Sequence, residues 1–217
     1  MKIAIPILAG LVIIAVLTVA FFFPFKPADN VVSADYSSYI GDISIHTANG
    51  MSSIGYACVY AETPQFLQLL TASHVVNDSK QDYFISFHNG ITVKVSAVKV
   101  LRKDSDLAIL EVPNERLQKS REYEVPQFKK LRFEDVGQHL YIWGDEYDNY
   151  PERKIDMVKE KANIAEIYLP GTIATGRSGS PVFFKNTNIC VGVISGFFTK
   201  ASSVGEKIVC LFLKDNE

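Results

Sequence analysis

The chain has 217 residues, of which 22 are basic and 24 acidic, for a formal net charge of −2. That balance gives no electrostatic case for a nucleic-acid partner, and no block of like charge marks a disordered interaction tail. The length allows one or two domains, and a hydrophobic content of 47% fits a globular protein that also carries a membrane segment.

Residues 3–23 contain no charged side chain. As a helix this run reaches about 30 Å, the thickness of a bilayer's hydrocarbon core. Pro6 lies near its start, where a helix tolerates proline best. Lys2 and the terminal amino group precede the run, whereas Lys26 beyond it is offset by Asp29. The charge bias puts the N-terminus in the cytoplasm and the rest of the chain in the periplasm or outside the cell. The sequence thus divides into a membrane helix at 1–25, a linker at 26–38 with Pro27, Asp29, Asn30 and several Ser, and a globular domain at 39–217. Two readings of the first segment stand. A signal anchor is favoured, because the run exceeds a signal peptide's apolar region; a signal peptide cut after Ala34 would instead release a secreted protein.

Beyond the linker, short runs rich in Val, Ile, Tyr, Phe and Thr alternate with turn residues, which predicts an all-β domain. Strands are expected at 54–60, 66–71, 83–87, 91–101, 107–112, 140–143, 164–169, 189–195 and 208–213. Asn89 and Gly90 predict a hairpin, and the alternation of Thr92, Lys94 and Ser96 with Val93, Val95 and Ala97 predicts one wet and one buried face. The one helical candidate is 114–119. Cys58, Cys190 and Cys210 form no C-x-x-C pair and read as apolar core residues, with a Cys190–Cys210 bridge as the alternative. His46, His88 and His139 lack metal-ligand spacing, and Asp145, Glu146 and Asp148 lack the pattern of a calcium loop, so no metal or other cofactor is expected.

Three segments carry chemistry. In Thr71-Ala72-Ser73-His74-Val75-Val76, a histidine closes an apolar run. In Asp106-Leu107-Ala108-Ile109-Leu110, an aspartate enters one. In Gly176-Arg177-Ser178-Gly179-Ser180-Pro181, a serine between glycines fits a tight turn that exposes its hydroxyl and lets backbone N–H groups converge. Alone, the first two read more readily as structural residues. Together they run in the order His, Asp, Ser, 32 and then 72 residues apart.

In these motifs, the region of about residues 40 to 213 resembles the trypsin/chymotrypsin-like serine peptidases, in particular the small bacterial branch with the glutamyl endopeptidases and HtrA-type protease domains. The resemblance implies two antiparallel six-stranded β-barrels with the site between them. It implies His74 as general base, Asp106 as its orienting acid, with Asp104 as the rival, and Ser178 as nucleophile of a serine endopeptidase. The N–H groups of Gly176 and Ser178 would form the oxyanion hole. The primary substrate pocket would involve Thr172, Ile194, Ser195 and Gly196. With no acidic residue near Thr172, and Ile194 where glutamyl endopeptidases carry a histidine, a neutral or apolar substrate side chain is expected. Arg177 departs from the aspartate by which animal digestive enzymes capture a new N-terminus. The expected partners are a protein or peptide substrate and the membrane. A catalytically inactive relative that only binds peptides in the cleft is the rival reading.

Overall fold

The computed structural model describes residues 36–211 apart from 89, 103–105, 116, 118–122, 144–151, 156, 162–163, 171–175 and 201–202. The expected membrane helix at 1–25 and most of the linker lie outside the described residues. Among the described residues, no helix is long and apolar enough to cross a membrane.

The N-terminal half is built from β1 (Ile40–Thr47), β2 (Gly50–Glu62), β3 (Phe66–Ala72), β4 (Tyr83–Phe87), β5 (Thr92–Lys94), β6 (Ala97–Arg102) and β7 (Leu107–Pro113). The C-terminal half holds β8 (Gln127–Phe128), β9 (His139–Ile142), β10 (Glu152–Lys154), β11 (Met157–Lys161), β12 (Ile164–Pro170), β13 (Pro181–Phe184), β14 (Ile189–Lys200) and β15 (Ser203–Leu211). All belong to one unit, Ala34–Glu217.

The all-β expectation holds, but among the described residues the strands do not divide six and six. One sheet has seven strands in the order β5-β4-β1-β2-β3-β7-β6; the other has eight, β10-β9-β13-β14-β15-β12-β11, with β8 added in parallel to β14. The run expected as one strand at 91–101 is divided at Val95 and Ser96. There the chain stops pairing with β4 and starts pairing with β7: the Val95 N–H donates to the Tyr83 carbonyl and the Ser96 N–H to that of Glu111, each bond within 2.9 Å. Because β5 and β6 end the sheet order yet follow one another in sequence, the sheet must curl on itself. The expected hairpin between β4 and β5 forms, with Gly90 at φ 85° and Phe87 bonded to Ile91. The helical candidate at 114–119 falls mostly outside the described residues.

Period-two patterning fixes where the core lies. On β2, β3 and β7, one set of side chains (Ala57, Val59, Leu67, Leu69, Ala108 and Leu110) fills the inside of the N-terminal sheet. The alternate set, Cys58, Leu70, Leu107 and Ile109, points the other way and packs against Phe183, Cys190 and Val193 of the C-terminal sheet. Strands buried on both faces read as unbroken apolar runs, which is why 107–112 shows no polar alternation. Tyr36 and Tyr39 complete this second cluster; the Tyr36 ring lies 4.8 Å from Tyr141 and 4.5 Å from Phe183. Truncating fully buried Phe183 to alanine should cost about 3–5 kcal/mol. This inter-sheet packing sets β3 and β7 against β13 and β14, and the candidate site forms at the ends of those strands.

Candidate active site

His74 lies in a 3-10 turn, Ser73–Val76, directly after β3; Asp106 immediately precedes β7. Antiparallel pairing of β3 with β7 matches Ala72 with Leu107, so the two residues emerge side by side although 32 positions apart. Asp106 has φ 52°, a left-handed conformation that is uncommon outside glycine but tolerated by Asp. Its backbone carbonyl accepts the Ser73 N–H at 2.9 Å.

The Asp106 carboxylate is enclosed by donors. Its Oδ1 accepts from the Ser73 hydroxyl at 2.7 Å and from the His74 N–H at 2.9 Å. Its Oδ2 is 2.7 Å from His74 Nδ1 and accepts the Ser195 hydroxyl at 2.7 Å. Partial burial favours the neutral acid, but the bonds from His74, Ser195 and Ser73 outweigh it and lower the pKa to about 2. An ionised carboxylate only accepts hydrogen bonds. His74 Nδ1 must therefore carry the proton, which leaves the lone pair on Nε2. The bond to Asp106 raises the His74 pKa, and partial burial of the ring opposes the rise. The imidazole remains 43% exposed, open to a reacting group.

Ser178 is held by backbone. The Ser180 N–H donates to the Arg177 carbonyl at 2.9 Å, closing a turn with Ser178 and Gly179 at its corners. Gly179 has φ 82°, the value required at the third residue of a type II turn. Its Gly179 N–H bonds to the Ile194 carbonyl at 2.8 Å. A Cβ on Gly179 would fall 2.0 Å from the Tyr56 carbonyl oxygen and 2.3 Å from Thr71 Oγ1, which itself donates to that carbonyl at 2.7 Å. Only glycine fits there, on both counts. The Ser178 carbonyl accepts the Tyr56 N–H at 2.9 Å. Gly55 brings the two loops together: a Cβ there would be 2.7 Å from the Ser178 carbonyl oxygen and 3.0 Å from Val75, next in sequence to His74. Gly176 is exposed with φ 90°, and neither its N–H nor that of Ser178 donates to another backbone carbonyl among the described residues.

The four residues expected in the substrate pocket fare differently. Thr172 and the rival acid Asp104 lie outside the described residues. Ile194 is 3% exposed and packs into the C-terminal core with Leu140, Ile142 and Val182. Ser195 is the extra residue of a bulge between Ile194, opposite Ile208, and Gly196, opposite Lys207. A bulge re-aims a side chain, and this one turns the Ser195 hydroxyl onto Asp106. Sequence reasoning missed that role, and likewise the donor role of Ser73. A hydroxyl in an otherwise apolar buried strand needs a partner, and this was the available signal for Ser195. Arg177 turns towards Tyr56: its Nη1 is 3.3 Å from the phenolic oxygen and its guanidinium 5.9 Å from the ring centroid. Both residues line an open groove of about 850 Å³ that also reaches Asp42, His46 and Trp143. No group of His, Cys, Asp and Glu side chains among the described residues is arranged to hold a metal ion.

Comparison with known proteins bears on the fold and the family. Residues 55–193 match the family model of the trypsin-like peptidase domain. A search of curated sequences finds no match. Among solved structures, an HtrA-type protease, AlgW, with a decapeptide superposes with TM-score 0.56 at 15% identity over 82% of this chain and 62% of its own. A serine endoprotease from Yersinia pestis gives 0.57 at 15% identity, over 79% and 58%. A collagenase structure, HL collagenase, gives 0.58 at 15% identity, over 84% and 93%. The chain thus spans about three-fifths of the first two proteins and most of the third. At these identities the likeness establishes the fold, and the all-β architecture with its curled sheet fits the chymotrypsin-like class.

Proposed function

We propose that this chain, which belongs to the trypsin-like peptidase family, is a membrane-tethered serine endopeptidase with His74, Asp106 and Ser178 as its catalytic triad. The observation that carries the reading is the grip of Asp106 on His74. A 2.7 Å bond to Nδ1, from a carboxylate held ionised by three further donors, fixes the tautomer in which Nε2 is a base.

A serine hydroxyl is a weak nucleophile until a base removes its proton. His74 Nε2 takes the Ser178 proton as Oγ attacks the scissile carbonyl carbon. The carbonyl oxygen gains negative charge, and the N–H groups of Gly176 and Ser178 receive it. Nε2 then gives the proton to the departing amine, the C–N bond breaks, and Ser178 is left as an ester. Water, activated by the same imidazole, hydrolyses that ester. Asp106 stays ionised throughout and stabilises the transient imidazolium. The groove beside Tyr56 and Arg177 borders the Ser178 turn and would receive part of the polypeptide. The lack of an acidic residue near Thr172 in the sequence favours a neutral or apolar side chain before the cut over Lys or Arg.

The uncharged run at 3–23, preceded by Lys2, supports a single membrane helix with the peptidase domain in the periplasm or outside the cell. Incubating the full chain with an unfolded protein, and sequencing the products by mass spectrometry, tests the activity. Internal cleavages that vanish in Ser178→Ala are expected. Products trimmed only from the ends would contradict an endopeptidase, and intact substrate with a folded enzyme would favour the peptide-binding relative.

A further inference from the structure

Away from the site, two thiols meet between the two sheets. Cys58 stands on β2 and Cys190 on β14, 132 positions apart, with their sulfur atoms 3.8 Å from one another. Both are fully buried, among Leu70, Leu107, Phe183 and Val193. The bridge considered from sequence, Cys190 to Cys210, fits the strand register poorly. With Val193 opposite Val209, Cys210 comes level with Gly192, two residues along from Cys190. The partner that the fold offers Cys190 is Cys58.

We propose that Cys58 and Cys190 form a disulfide cross-linking the two sheets when the chain folds where a disulfide oxidant is supplied. The step is thiol–disulfide exchange. The thiolate of one cysteine attacks an oxidant of the class RSSR, releasing RS⁻ and leaving a mixed disulfide. The second thiolate attacks the protein sulfur of that mixed disulfide and releases the other RS⁻. The two protein thiols lose two electrons and two protons, and the oxidant becomes two thiols. The new bond requires the sulfurs to close from 3.8 Å to about 2.05 Å. Their contacts to the Val59 and Gly192 carbonyls, at 3.5 and 3.4 Å, are weak enough to give up. Burial sets the timing: exchange takes place before β2 and β14 close on one another, and the finished bond is then shielded from reductants.

The location gives the bond a consequence. Cys58 is two residues past Tyr56, whose N–H holds the Ser178 carbonyl. Cys190 begins the stretch of β14 that runs to Ser195, whose hydroxyl holds Asp106. A cross-link here fastens the supports of both halves of the site, and it does so whether or not Ser178 is a nucleophile. Closing so long a loop should raise the thermal midpoint by about 10 °C.

The test uses the full chain in detergent, refolded in a glutathione redox buffer, denatured with iodoacetamide and digested without reduction. The expected result is a Cys58–Cys190 linked peptide with Cys210 alkylated, and a midpoint about 10 °C above that of the same protein refolded under dithiothreitol. A Cys58→Ala, Cys190→Ala double variant should melt alike in both buffers. If that variant does not fold, the two wild-type samples decide. Alkylation of both Cys58 and Cys190 after oxidative refolding, a bond from either to Cys210, or a bond without a rise in midpoint would overturn the proposal.

Discussion

Asp106 and Ser178 stand in different sheets' territory, and the chain secures them by different means. Around Asp106 the work is done by side chains: two serine hydroxyls, one imidazole and one N–H converge on a single carboxylate. Around Ser178 it is done by backbone: a turn closed by Arg177 and Ser180, a glycine at φ 82°, and carbonyls bonded to Tyr56 and Ile194. The first half is electrostatic and should respond to pH and to the removal of single polar atoms. The second is steric and should respond to the addition of single carbon atoms.

The largest expected effect lies in the first half. Asp106→Asn removes the charge and permits the wrong tautomer of His74, and kcat should fall about 10⁴-fold with the fold intact. A His74→Ala, Asp106→Asn double variant should be little worse than His74→Ala, because the residues act as a unit. Additive losses in steady-state kinetics would separate the pair that the 2.7 Å bond joins.

In the second half, Gly179→Ala introduces one methyl group where no space exists and where φ is positive. A destabilisation of about 3 kcal/mol or more is expected, read as a lowered denaturant midpoint. Ser180→Ala, a neighbour whose buried hydroxyl has no hydrogen-bond partner among the described residues, should by contrast be nearly neutral.

This contrast also governs what the sequence disclosed. The expected strands at 66–71, 83–87 and 107–112 fall within β3, β4 and β7, because apolar patterning there reflects burial directly. β1, with Gly41, Asp42 and Ser44 among its residues, has too mixed a composition to stand out. The division of 91–101 follows from closure of the sheet, a long-range property that local pattern does not encode. At the site, His74 and Asp106 were legible as types in a motif, and the β3–β7 register brings them together. The hydroxyls of Ser73 and Ser195 were not, because the left-handed turn at Asp106 and the bulge at Ser195 aim them. Nor could spacing show that Cys190 faces Cys58.

A smaller effect is pH dependence, again in the Asp106 half. The lowered pKa of Asp106 stabilises the fold above the unfolded value near 3.9, by on the order of 2 kcal/mol, and that contribution is lost as pH falls towards 2. The raised pKa of His74 stabilises below about 6.5 and is lost as pH rises through the higher folded value. Both contributions are present between about pH 4 and 6.5, whereas catalysis needs neutral His74 and gains above its folded pKa. Denaturant midpoints and kcat/KM measured across pH should therefore peak at different values. Coincident peaks would remove His74 as the base.

The smallest effect expected is none at all. Arg177 points to Tyr56 and offers no carboxylate to a newly cut N-terminus. Tagged chains starting at residues 1, 28 and 35 should be equally active. A start beyond Tyr36 should lose stability, because that ring packs on Tyr141 and Phe183. Activity that appears only after a tag is cut would reveal an activation switch.

The claim that Ser178 is a nucleophile activated by His74 is tested most directly by a fluorophosphonate probe. Labelled full-length protein, digested and mapped by mass spectrometry, should carry the probe on Ser178. Labelling should vanish in Ser178→Ala and slow by orders of magnitude in His74→Ala. Probe on Ser180, or a folded protein that takes up none, would contradict the account.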